Sequence, residues 1–300
     1  MKQKEQYTEE WELYEKGKEY NYSLDLYNKV ASNERFYRGD QWEGINSNGL
    51  PKPTFNIFKR IINYYTSNLL SSSVSMRFSY ASPFGSGNAI SAEAAAYAEL
   101  LNGICRTRWE KLKMDSLLLD ALTDGAISGD AIAYTYWDKS VRTGQPYSGD
   151  FRTVLVDNTN VFFGDPNMRD PQKQPYILIS MRENVSELQK AARKAGLSED
   201  VVRKIVPDSD NTTQSGDMAK KEIESTKCIS LIRLWKDENG HVLFRKSVRS
   251  AVLTDTTDTG LTLYPICVFN WTKVKNSWHG EAVATGLIEN QIFLRVPEPI

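Results

Sequence analysis

Residues 114–138 read MDSLLLDALTDGAISGDAIAYTYWD, and the change of character inside this stretch decides the fold. Its first half, with Leu118 and Leu122 one helical turn apart, reads as a helix. Its second half mixes Ala, Ile and Tyr in the manner of a strand. The break falls between Gly125 and Gly129, so one element ends where the next begins. The Ala-rich segment from Ser91 (SAEAAAYAELLNGICRTRWEKL) reads as a helix before it, which predicts two antiparallel helices feeding a small sheet. Residues Gly125 to Asp130 resemble a phosphate-cradling loop only superficially. They lack the Lys-Ser/Thr pair of such a loop and follow a helix rather than precede one. The stretch is a helix-to-strand junction.

Working outward toward the N-terminus, Trp11, Tyr14, Leu24, Tyr27 and Val30 recur among charges at helical spacing, which predicts one or two amphipathic helices over 5–37. Gly39 is placed to end them in a left-handed conformation, with Trp42 packing back. Pro51 and Pro53 forbid a helix in the loop that follows. Thr54 is the expected N-cap of a helix through Phe55, Ile57, Ile61, Ile62, Tyr65 and Leu69. Ser71 to Tyr80 is expected to be a strand, closed by the turn SPFGSGN.

Toward the C-terminus the character is β. FRTVLVD, VFFGDPN and PYILISMR are each bounded by Asp, Asn or Pro. A charged helical stretch over SELQKAARKAG and SEDVVRKIV comes next, and residues 207–220 read as a mobile loop. CISLIRLW and HVLFRKSV flank Asp237-Glu238-Asn239-Gly240, a hairpin signal. LTLYPICVFNW is one more expected strand, and GEAVATGLIENQIFLR starts a helix.

Composition narrows the function. The chain has 300 residues, 40% of them hydrophobic and 25% charged, enough to bury a core. A net charge of -1 argues against a protein whose main work is gripping phosphates. Cys105, Cys228 and Cys267 lie far apart and only His241 and His279 accompany them, so no metal site is expected. The charged N-terminus carries no apolar leader, and no apolar run has the length of a membrane span. We therefore expect reduced thiols, a cytosolic origin and no membrane partner.

The candidate residues have plain alternatives. Gly164-Asp165-Pro166-Asn167 reads as a β-turn rather than a catalytic or metal-binding aspartate, since no second carboxylate stands at a fixed offset. His279, between Trp278 and Gly280, has no obvious Cys, Ser or carboxylate partner and reads as a packing or capping residue. Trp11, Tyr14, Trp42 and Trp278 could serve a subunit interface or a core. Arg245, Lys246, Arg249, Lys273 and Lys275 form the densest positive stretch of the β segments and could face DNA or a partner. No catalytic constellation and no cofactor motif is found, so no enzymatic activity is expected.

Four motifs in order carry a resemblance. They are Phe36-Tyr37-Arg38-Gly39-Asp40-Gln41-Trp42 with Pro51-Lys52-Pro53-Thr54-Phe55-Asn56-Ile57; Leu117 to Tyr136 with Ile127-Ser128-Gly129-Asp130-Ala131; Val156-Asp157, Val161-Phe162 and Gly164-Asp165-Pro166; and Tyr264-Pro265-Ile266, Trp271 and His279-Gly280 leading to Gln291. Together they resemble the portal proteins of tailed bacteriophages. The resemblance implies an α+β fold. A helix-rich wing module with antiparallel β segments would span 1–225, a small β-hairpin, clip-like region 226–272, and the start of a stem-type helix 273–300. Family members continue beyond that helix, whereas here it meets Val296-Pro297-Glu298-Pro299-Ile300, so a C-terminally truncated chain is expected. The implied role is a dodecameric ring at one capsid vertex of the virion, assembled in the host cytoplasm. Double-stranded DNA would pass through it during genome packaging and ejection. Terminase, capsid or scaffold proteins and head–tail connector proteins would be its partners. The other class consistent with the sequence is a minor capsid or head–tail adaptor protein.

Overall fold

The structure, a computed structural model, describes residues 7–44, 46, 49, 51–52, 54–72, 76–79, 92–142, 144, 146, 148–208 and 226–293. Within them the chain is a mixed α+β protein with eight helices and two antiparallel sheets. The expected turn SPFGSGN and nearly all of the expected loop over 207–220 lie outside the described residues.

The helices are α1 (Glu9–Ser23), α2 (Leu26–Arg38), α3 (Ile57–Leu69), α4 (Ala92–Lys111), α5 (Met114–Ser128), α6 (Val185–Lys194), α7 (Glu199–Arg203) and α8 (Val283–Phe293). Strands β1 (Asp130–Asp138), β2 (Asp150–Val156) and β8 (Ile266–Asn270) form one sheet in the order β2-β1-β8. Strands β3 (Val161–Phe163), β4 (Tyr176–Asn184), β5 (Lys227–Lys236), β6 (Val242–Val248) and β7 (Ala251–Asp258) form the other, in sequential order.

The larger sheet is covered on both faces, which explains its near-continuous apolar runs. Residues of a strand alternate between faces. Ile177 and Ile179 of β4, with Ile232 and Leu234 of β5, therefore meet Ile132, Tyr134 and Ile266 of the smaller sheet. Leu178, Ile229 and Leu231 point the other way, onto Trp11 and Tyr14 of α1. At one end α6 and α7 close over Cys228, Val248 and Ala251. A separate helical layer gathers Phe36 of α2, Phe58 and Ile62 of α3, Ala126 and Ile127 of α5, and Ala284 of α8.

The helix-to-strand junction at Gly125–Gly129, the two N-terminal helices, the left-handed Gly39 stop and the β5–β6 hairpin are as expected. Four details differ. The N-cap of α3 is Asn56, whose Oδ1 accepts from Lys59 N at 2.9 Å, not Thr54. Residues 71–72 and 76–79 are in no strand; instead the Asn102 side-chain amide bonds both backbone groups of Phe78, at 2.7 and 3.1 Å, in place of a neighbouring strand. The expected strand over LTLYPICVFNW begins only at Ile266, after Pro265. Strand β7 was not anticipated: its exposed half, Thr254 to Asp258, reads as loop, yet it forms the sheet edge beside a bulge in β6. The strands of 226–272 are shared between the two sheets, so pairing runs across residue 225 rather than stopping there.

Candidate functional site

The four motif segments meet. Asp130, the first residue of β1, is 2% exposed and lies where α5 turns into the strand. A buried carboxylate must be compensated by donors, and Asp130 has four. Oδ1 accepts from Gly280 N at 2.6 Å and Asn270 Nδ2 at 2.7 Å. Oδ2 accepts from His279 Nδ1 at 2.7 Å and Asn158 Nδ2 at 3.1 Å. Since a carboxylate oxygen accepts here, the proton lies on Nδ1 of His279. The other ring nitrogen faces the Asn21 amide of α1 at 3.3 Å, and Trp278 packs on the ring with centroids 3.7 Å apart. Asn158 and Asn270 also bond backbone carbonyls, of Ser128 and Trp278.

His279 therefore has the carboxylate partner that its sequence neighbourhood did not reveal, 149 residues away. The Nδ1 proton is committed to Asp130 and the side chain is 4% exposed, so the pair fixes geometry. It fastens α1, the α5–β1 junction, the end of β8 and the approach to α8 at one point.

Backbone approach at this point is close. Gly129 has φ +96, and a Cβ there would stand 2.7 Å from Gly280 O. A Cβ on Gly280 would in turn meet Gly129 O at 2.8 Å. Glycine is required at both positions.

A second set of bonds joins the first motif to the last. Asn56 Nδ2 donates to Tyr37 O at 3.0 Å, and Gln291 of α8 donates to Gln41 Oε1 at 2.8 Å and to Phe55 O. The turn over Asp165-Pro166-Asn167 closes with Met168 N bonded to Asp165 O, and Trp278 N donates to Pro166 O at 3.0 Å. Asp165 is thus a turn residue.

The basic candidates are not one surface. Arg245 faces α1, with Glu10 at 3.3 Å and, across the strand pair, Arg233. Lys246, the next residue, points to the opposite face and pairs with Glu183 at 2.6 Å. Arg249 donates to the Tyr7 hydroxyl at 2.8 Å and lies over the Tyr7 and Trp11 rings. Lys273 and Lys275 are exposed in the loop after β8 and make no ion pair among the described residues. Of the four aromatic candidates, Trp11, Tyr14 and Trp278 belong to the core, and Trp42 is half-buried.

A different surface stands out. Tyr97, Leu100, Leu101 and Ile104 of α4 are 68%, 59%, 45% and 48% exposed. Their spacing places them on one helix face. No described side chain of α4 is buried. A comparison of the chain with protein-family models and with curated proteins finds no match.

Proposed function

We propose that the chain is a subunit of a tailed-phage portal ring, the assembly at one capsid vertex through which double-stranded DNA is packaged and ejected. The observation that carries the reading is the convergence of the four resembling segments. Though dispersed from Phe36 to Gln291, they bond to one another through Asp130, Asn158, His279, Gln41 and Gln291.

In this reading residues 1–225 are the wing-like module, 226–272 the clip-like strands built onto it, and α8 begins the stem-type helix. The apolar face of α4 supports an assembling chain, because a helix without a buried side needs a neighbour to cover it. Another copy of the chain is that neighbour. With Arg245 and Lys246 engaged by Glu10 and Glu183, the exposed Arg249, Lys273 and Lys275 are the basic candidates left to meet DNA or a partner. Terminase, capsid or scaffold proteins and head–tail connectors are the partners this role requires, and no catalytic step belongs to it.

The test is negative-stain electron microscopy of this chain and of a form extended beyond Ile300. Rings with a central channel in either preparation are the expected result. Monomers from both would sink the reading and leave the adaptor class.

A further inference from the structure

Beside the Asp130 junction lies an open cleft between α2, the end of α5 and the end of β2. Glu34, Asp124, Asp157 and Asn158 line it, with Asp120 near enough to act on Asp124. Every polar side chain named is an acceptor or presents one. Asp124 is pushed up to about 6, first by burial and then by Asp157, Asp120 and Glu34. Burial also raises Asp157. The C-terminal end of α5 adds its own negative dipole at the same place.

Acidic clustering alone would be a solvated face. Asn158 supplies the independent observation. It is 1% exposed, and its Oδ1 has no hydrogen-bond partner. The amide cannot be turned round to cure this, because Nδ2 is committed to two acceptors, Ser128 O and Asp130 Oδ2. Asn158 lines the cleft of carboxylates and its buried carbonyl oxygen lacks a donor, a deficit that a donor-rich cation would meet. Among the described residues no three acidic, histidine or cysteine side chains stand close enough to share a metal ion. The missing group is therefore wider than a metal. A guanidinium, planar and carrying five N–H donors, reaches several spaced acceptors at once. Glu34 already pairs with Arg38 on its own helix at 3.3 Å, an exposed pair that a better-placed cation displaces easily.

We propose that this cleft binds a guanidinium group, presented by an arginine of another polypeptide or by a small alkylguanidine, with Glu34, Asp124 and Asp157 as carboxylate acceptors and Asn158 Oδ1 as the buried one. The site does not depend on the portal reading.

The test titrates agmatine into the purified chain by calorimetry at neutral pH and low salt. Saturable one-site binding is expected, weakened at least about tenfold in the variant D124N/D157N and at least about tenfold when putrescine replaces agmatine. Affinity should also fall as pH drops through about 6, where Asp124 takes up its proton. The groups facing Asp124 there are Glu34 and Tyr37 of α2, Asp120 of α5 and Asp157 after β2. No saturable heat, equal binding of putrescine, or an unaffected double variant would overturn the proposal. Should the double variant fail to fold, an agmatine-induced shift of the Asn158 side-chain amide in the NMR spectrum of the native chain decides the matter, its absence counting against the site. Sedimentation velocity separates the sources. Agmatine that disperses assembled chains assigns the site to an arginine of another copy, and an unchanged distribution excludes that source.

Discussion

Burial drives the thiol of Cys228 up to about 12, with the Asp208 and Glu183 carboxylates adding to it, whereas Cys267 is exposed. Thiolate is the reactive form. A disulfide reagent applied to the native chain should label Cys267 promptly and Cys228 only on unfolding, as peptide mapping would show. Asp124 makes a sharper case. Its carboxyl is raised from 3.8 to about 6 in the folded chain. Below 3.8 it is protonated in both states and makes no difference. Between 3.8 and 6 the fold retains a proton that the unfolded chain has released, so stability falls as pH rises, and the deficit is complete above 6. At 1.36 kcal/mol per pH unit, and discounted for partial exposure, the deficit is about 1–2 kcal/mol. Asp124→Asn should raise Tm at neutral pH and flatten the melting profile between pH 4 and 6. A carboxylate kept where it destabilises the fold is consistent with use.

At the scale of elements, α3 depends on Asn56, which caps the helix through Oδ1 and ties it to Tyr37 O through Nδ2. Asn56→Ala should cost about 1–2 kcal/mol in chemical denaturation, while Thr54→Ala should cost little. Sequence alone put the cap at Thr54, because two polar residues precede the same apolar run and the bond that separates them reaches back 19 residues. Most elements were legible, since helices α1, α2, α5 and α6 and the central strands carry their own periodicity. Strand β7 was not, because an edge strand with an exposed half is written in Thr and Asp, as a loop is. The basic stretch misled for a local reason. Arg245 and Lys246 are neighbours in sequence, and strand alternation sends neighbours to opposite faces. The Asp130–His279 junction was beyond reach: its partners are separated by up to 150 residues, and neither residue is unusual among its neighbours.

For the whole molecule, the exposed face of α4 is the feature that the described residues leave uncovered. Leu100→Glu with Ile104→Lys should abolish assembly in sedimentation or electron microscopy while leaving the melting temperature of the monomer within about 2 °C, because neither side chain is buried within the chain. A loss of folded monomer would show instead that the face packs internally. The Asp130 junction has a consequence of its own during synthesis. Its carboxylate leaves the ribosome well before His279 and Gly280, which follow 149 and 150 residues later. At translation rates of about 5–20 residues per second, that interval is roughly 8–30 s. Throughout it β1 lacks its neighbour β8, and an open strand edge is held beside an unneutralised acid. The nascent chain is thus committed to wait, and a chaperone that shields β1 during this interval would govern yield without altering the finished protein.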